Sequence, residues 1–320
     1  MARVFFFLGK GGVGKSTISS LAAMTLAAEN ADTLLLSLDP AHNLSDIFQK
    51  KFSSKPKKVS SRLLVMEIDE RAQMRKYLKA MENRLKQAYR YHSAFNLGGY
   101  FSIVRHSPGI EEYALLRSFM EAYRRYNRID AIVVDLPPTA LALKFLRLPS
   151  LSILWLEKLL ELRRTILEKK EIISRIKIGP RTMERDRVLR GIEESLDHYR
   201  HSRDVLVGTD TASYYIVTNN DALSMSETMK INSEARGMGL PLKGAIINRL
   251  PLCDNEPKHR RGSWPEISYR FPTAEEALTG MAALNRFRLL QRHNPFFADL
   301  LKTVRPRRDL NHSSRPEPRV

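Results

Sequence analysis

The stretch Gly9-Lys10-Gly11-Gly12-Val13-Gly14-Lys15-Ser16-Thr17 follows directly on the apolar run Val4-Phe5-Phe6-Phe7-Leu8, and it limits the fold more than any other feature of the chain. It fits the pattern G-x-x-x-x-G-K-S, a P-loop, and stands between an expected strand (Arg3–Leu8) and an expected helix (about Lys15–Ala28), the setting that gives the pattern meaning. Glycines there let successive backbone N–H groups close around phosphate oxygens, and a helix N-terminus adds a favourable dipole. Lys15 is the residue to reach the β- and γ-phosphates, and the Ser16 hydroxyl is the ligand for Mg²⁺. Thr17 either adds a hydroxyl to the phosphates or starts the helix. Lys10 has no task in a simple P-loop.

A second apolar strand follows at Thr33–Leu38, which opens a βαβ unit and predicts a parallel sheet. Leu63–Ile68, Ile129–Val134, Tyr214–Val217 and Ala245–Ile247 extend the series. Near-continuous apolar strands alternating with helices indicate a sheet covered on both faces. The expected class is therefore α/β, a P-loop NTPase fold.

Two stretches depart from that rhythm. Met74, Tyr77, Leu78, Met81, Leu85 and Ala88 recur at helical spacing, with Gly98-Gly99 and Pro108-Gly109 after them. Leu151–Leu167 carries a wide apolar face (Trp155, Leu159, Leu162, Ile166), and Leu189, Ile192, Leu196 and Tyr199 continue it beyond Gly179-Pro180. Together they predict an inserted helical subdomain, with elements at about 72–125 and 150–205. Its apolar faces either pack on each other or leave a groove for a hydrophobic client. Residues 1–304 are expected to form one ATPase domain, and the basic tail Arg305–Val320 to be disordered.

Two carboxylates complete a chemical set. Asp39, in Leu38-Asp39-Pro40-Ala41-His42-Asn43-Leu44-Ser45-Asp46, stands at the carboxyl end of the second strand, where open α/β sheets place their ligand crevice. A carboxylate there can orient or deprotonate the attacking water. Asp46 is its rival in the same segment, while His42 and Asn43 either contact phosphate or a partner subunit or shape the loop. Asp135 ends the strand Ile132-Val133-Val134 and is the expected holder of Mg²⁺. The stiff loop Leu136-Pro137-Pro138-Thr139 after it is placed to sense the γ-phosphate.

At this point the chain resembles a known family. Its glycine loop is similar to the deviant Walker A motif of the ParA, MinD and nitrogenase-iron-protein class, with Lys10 matching the signature lysine. The segment Asp39–Asp46 resembles switch I of the arsenite-pump (ArsA) and tail-anchored-protein-targeting (GET pathway) ATPases. Met66–Asp69, Pro108–Glu112, Asp135–Thr139, Leu143–Pro149, Leu223–Thr228 and Ile247–Arg249 add further matches, over about residues 1–285. The resemblance implies that Lys10, Gly11, Gly12, Val13, Gly14, Lys15, Ser16 and Thr17 bind the triphosphate of ATP, Lys10 doing so in the facing subunit of a homodimer. It implies that Asp39 is catalytic, that Asn248 recognises adenine and that Asp221 is an acidic residue of the nucleotide site. It also makes Leu151–Val205 a client-binding subdomain for a hydrophobic or membrane-protein client. With one P-loop per chain, two active sites require two chains.

The departures from the pattern are specific. The targeting ATPases hold zinc with a CxxC pair, and the arsenite pump binds metalloid with several cysteines, whereas this chain has one, Cys253. No zinc is expected. A single cysteine also excludes an internal disulfide and a cluster-bearing nitrogenase-type reductase, and it fits a reducing cytoplasm. After Thr139 the family's Gly-His is Ala140-Leu141. No run approaches the ~18 apolar residues that a membrane helix requires, which predicts a soluble protein.

Net charge is +18, high for a metabolic enzyme. Lys50, Lys51, Lys55, Lys57 and Lys58 form one basic cluster, Lys258–Arg261 another, and Arg163–Arg190 holds ten Lys/Arg against four Asp/Glu. These are solvated faces, or surfaces for anionic lipid, nucleic acid or an acidic protein. That charge favours the rival reading, a MinD- or ParA-like positioning switch on a membrane or nucleoid surface. The Asp39–Asp46 segment and the helical insertion argue against it.

Overall fold

Val4 to Leu8 make β1 (Arg3–Leu8) a strand that water cannot reach from either side. In this computed structural model, which describes residues 1–41, 43–88, 109–178, 186–251 and 264–304, β1 lies inside an eight-stranded sheet. Its other strands are β2 (Thr33–Ser37), β3 (Lys57–Ser60), β4 (Leu63–Glu67), β5 (Ala131–Asp135), β6 (Ala212–Asn219), β7 (Leu242–Leu250) and β8 (Ser268–Pro272), in the spatial order β3-β4-β2-β5-β1-β6-β7-β8. All neighbours run parallel except the edge strand β3, which is antiparallel to β4.

Side chains alternate across a strand, so β1 feeds two cores. On one face Val4, Phe6 and Leu8 meet α4 (Ile110–Tyr126), the start of α5 (Thr139–Ile178), the end of α6 (Arg187–Val207) and α7 (Ala222–Gly237). Phe6 stacks on Tyr214 at 4.6 Å between ring centroids and tilts against Phe119 at 5.4 Å. On the other face Phe5 and Phe7 meet α1 (Lys15–Ala28), α2 (Asn43–Phe48), α8 (Gly280–Leu290) and α9 (Pro295–Thr303). Helix α1 is buried almost all round, which its hydroxyl residues tolerate by bonding back within the helix. Ser20 Oγ donates to the Ser16 carbonyl at 2.6 Å and Thr25 Oγ1 to that of Leu21 at 2.8 Å.

The register aligns the carboxyl ends of three strands. Phe7 of β1 and Ser37 of β2 both pair with Asp135 of β5. The glycine loop, Asp39 and Asp135 therefore emerge side by side at one edge.

The helical part differs in detail from the expectation. Helix α3 (Glu70–Ala88) lies beside α4, with Lys76 Nζ 3.8 Å from Glu121. Leu115, Leu116, Phe119 and Met120 of α4 belong to the sheet core, so α4 is a layer of the main fold. The second element begins at Thr139 and runs through Pro149 without a break. Its first turns bury Ala142, Phe145 and Leu146 against the sheet, and this packing holds the helix across the proline. Its remainder pairs with α6 as an antiparallel hairpin, laced by Arg163–Asp186 (2.6 Å), Arg200–Glu157 (3.0 Å) and Arg164–Glu193 (3.5 Å).

Within Thr139–Lys169 an 18-residue window has a mean hydropathy of 1.3 and is 33% buried, which by length and composition alone would suffice to cross a membrane. Lys144 and Arg147 interrupt the apolar run of this helix, and its first turns pack on the sheet. Gly98-Gly99, Pro108, Gly179-Pro180, His42, Cys253, Lys258–Arg261 and the tail Arg305–Val320 lie outside the described residues.

Phe6→Ala removes the ring that joins β1, β6 and α4. It should lower unfolding stability by about 3–5 kcal/mol in urea titrations followed by circular dichroism.

Candidate active site

The loop after β1 is bent so tightly that two of its glycines have no substitute. At Gly9, φ is +147° and an added Cβ would stand 2.2 Å from the Val217 carbonyl oxygen at the end of β6. At Gly14, φ is +95° and the same atom would stand 2.3 Å from Asn248 Nδ2. Asn248, at the end of β7, donates that amide to the Val13 carbonyl at 2.9 Å. The loop is thus fixed from beneath by β6 and β7. Gly14 caps α1 with no side-chain acceptor, so the first-turn N–H groups of a buried helix stay open towards the crevice.

Lys15 is buried and folds back over the loop, its Nζ donating to the Lys10 carbonyl at 3.0 Å. Burial pushes its pKa down, opposed by attraction to Asp135, Asp39 and Glu227. Asp135 has no solvent exposure at all. Burial pushes its carboxyl up to about 7, against the Ser16 hydroxyl, the Lys15 ammonium and the Ser37 hydroxyl, which favour the ionised form; Asp39 adds to the rise. Ser37 Oγ is 3.4 Å from Asp135 Oδ2, whereas Oδ1 is buried with no hydrogen-bond partner.

Asp39 is buried on the opposite side of Ser37, which accepts the Asp39 N–H at 3.2 Å. Its carboxylate takes the Ala41 N–H at 3.0 Å on Oδ1 and approaches Asn43 Nδ2 at 3.5 Å on Oδ2. Asp46 is exposed on α2. Of the two rivals, only Asp39 meets Lys15 and Asp135. Two residues without an assigned role in the sequence reading hold this arrangement. Ser37 bridges the two aspartates, and buried Glu67 anchors α2 by accepting both the Ser45 N–H (3.0 Å) and hydroxyl (2.5 Å). A polar residue ending the buried run Leu34-Leu35-Leu36 was the available signal for Ser37.

The remaining residues are more spread out. Gly11 and Gly12 are exposed, Val13 and Ser16 are buried, and Thr17 is half-buried at the start of α1. Asp221 sits at the rim as the cap of α7, accepting the Ser224 N–H at 2.9 Å. That hydrogen bond, the Ser224 hydroxyl and the nearby charge of Lys10 hold its carboxyl low. Thr139, the first residue of α5, has its hydroxyl buried without a hydrogen-bond partner.

The chain matches the family of anion-transporting ATPases over residues 2–269. It belongs to that family. A putative arsenical pump-driving ATPase 2 of Aquifex aeolicus is 30% identical over 249 residues, 78% of this chain and 80% of its own. The ATPase GET3 of Lachancea thermotolerans is 29% identical over 266 residues, 79% of this chain and 74% of its own. The chain spans less of a putative arsenical pump-driving ATPase 1 of Aquifex aeolicus, which is 26% identical, with 78% of this chain covering 63% of that protein.

As a member of this family the chain is an ATPase, and its crevice suits a nucleotide and a hard cation. Mg²⁺ takes oxygen ligands, typically one or two carboxylates together with substrate phosphates. The unpartnered Asp135 Oδ1 and the Ser16 hydroxyl beside it are donors of that kind.

Two expectations follow from this geometry. Gly14→Ala must displace Asn248 and strain the loop, so nucleotide affinity should fall at least about tenfold in a fluorescent-nucleotide titration. Because the folded pKa of Asp135 lies above its unfolded value, this group stabilises the metal-free protein at low pH, and that contribution is lost as pH rises through about 7. Added Mg²⁺ competes with the proton. The rise in melting temperature on adding Mg²⁺ and nucleotide should be larger at pH 8 than at pH 6 by calorimetry, and Asp135→Asn should flatten the difference.

Proposed function

We propose that this protein binds and hydrolyses Mg²⁺-ATP as a homodimer in the cytoplasm and couples the cycle to movement of its helical hairpin. The observation that carries the reading is the buried triad of Lys15, Asp39 and Asp135 at the aligned carboxyl ends of β1, β2 and β5. A cation between two carboxylates, next to an open helix N-terminus, is suited to a phosphoryl group and a metal rather than to an uncharged substrate.

Each residue then has a task. Backbone N–H groups of Gly11 to Thr17 receive the phosphates, and Lys15 exchanges its bond to the Lys10 carbonyl for phosphate oxygens. Ser16 and Asp135 would hold Mg²⁺, whose chemistry there would be to offset the negative charge of the phosphates. Asp39 orients the attacking water and accepts its proton as the new bond to phosphorus forms and the bond to the leaving diphosphate breaks. Asn248 and Asp221 line the nucleoside side of the site. Lys10, near Asp221 in its own chain, reaches the phosphates of the facing subunit once ATP closes the dimer.

Residues 1–304 act as one ATPase unit. The hairpin of α5 and α6 is the effector, and its exposed apolar stripe takes hydrophobic partners. A positioning switch at a membrane or nucleic-acid surface is the second reading. Its support is the charge of +18 together with that stripe.

Steady-state phosphate release tests the mechanism. Asp39→Asn should lower turnover by about 10²–10⁴-fold while nucleotide still binds. Lys10→Ala should lose both turnover and ATP-dependent dimerisation in light scattering. Unchanged turnover in both variants would sink the mechanism.

A further inference from the structure

Beyond Pro149, α5 shows solvent a row of side chains that soluble helices keep inside. Trp155 is 65% and Leu154 60% exposed, and Leu151, Leu162 and Ile166 are also exposed. Leu151, Trp155, Leu162 and Ile166 are spaced by four, seven and four residues, which puts them on one helix face. On α6, Val188 is exposed as well. Lys158 stands within the stripe and Lys169 just past its end, seven and eighteen residues after Leu151 and within about 20° of it around the helix. Lys158 pairs with Glu161 at 2.9 Å, but both are about 70% exposed, so the pair is weak and easily exchanged.

We propose that this face of the hairpin is a docking surface for an anionic lipid bilayer, on which α5 lies flat in the interface. The inference rests on the reading that the hairpin is the effector of the ATPase, and it names what the effector meets. The lysine within the stripe decides between occupants. Packing the stripe against an apolar protein segment would take the Lys158–Glu161 pair out of water, a desolvation that its single hydrogen bond does not repay. At a bilayer surface Lys158 and Lys169 bury their stems and lift their charges to lipid phosphates, while Trp155 takes the headgroup level that tryptophan favours. The wider charge agrees, since Arg163–Arg190 carries ten basic against four acidic residues and the chain a net +18.

The test uses the full chain and floats it with vesicles of phosphatidylcholine alone or mixed with phosphatidylglycerol. Trp264→Phe leaves Trp155 as the sole tryptophan. Its emission should shift to the blue only with the anionic vesicles, and high salt should reverse the binding. Lys158→Gln with Lys169→Gln should weaken binding roughly fivefold per lysine. Trp155→Ser with Leu162→Ser should weaken it about a hundredfold, with circular dichroism showing that the exposed substitutions leave the fold intact.

Three results would overturn the proposal: no flotation, equal flotation with neutral vesicles, or flotation unaffected by the lysine and stripe variants. Capture of an apolar helical peptide in place of vesicles would likewise assign the face to a protein client. ATP binding by the unaltered chain is measured in the same series. If it is present while flotation is absent, only the lipid inference fails; if it is absent, the ATPase mechanism above fails as well.

Discussion

The active site depends on two places where backbone comes so close to other atoms that no side chain fits between them. Gly9 lies against the Val217 carbonyl and Gly14 against the Asn248 amide, and both have left-handed or near-extended positive φ. These contacts seat the loop on β6 and β7, so its shape is a property of the sheet and not of the loop's own residues. Everything downstream inherits that placement. Helix α1 starts where Gly14 stops, Lys15 folds back onto the Lys10 carbonyl, and the N–H groups of the first turn face the crevice without a competing cap.

Electrostatics then act through burial. Asp39, Asp135 and Lys15 are removed from water together; Ser37 ties the Asp135 carboxyl to the Asp39 backbone, the two aspartates favour the charged form of Lys15, and Lys15 favours the ionised form of Asp135. Asp135 is the member under most tension, since desolvation outweighs the groups that would keep it ionised. A site in this condition has a standing preference for a cation, because a cation relieves the same carboxylate that burial destabilises. The hydrophobic sheet therefore sets the charge state of this carboxyl as well as the stability of the fold.

Much of this was legible in the residues. The bounds Arg3–Leu8 and Lys15–Ala28 agree with the structure, because the apolar strand is ended by glycines and the apolar segment after them contains no glycine or proline. Asp39 and Asp135 were readable for a similar reason: acids that end buried strands must serve something. Strands β3 and β8 escaped notice because one is a charged antiparallel edge and the other a short strand ending in proline. The second helical element is expected from about 150 but begins at Thr139, where packing of Phe145 and Leu146 on the sheet carries the helix across Pro149. The bond from Asn248 to the Val13 carbonyl spans 235 positions of sequence and has no local signature. Asp221 was identified by resemblance, and the structure adds its work as a helix cap.

Helix α5 also has a mechanical meaning. Its first residue, Thr139, follows the loop that leaves Asp135, and its last described turn lies forty residues on, roughly 60 Å at about 1.5 Å per residue. A rod of that length converts angle into distance: a tilt of about 10° at its base carries the far end through roughly 10 Å. Any displacement at Thr139 would thus be enlarged along the rod, because its first turns pack on the sheet while its far end lies beyond it.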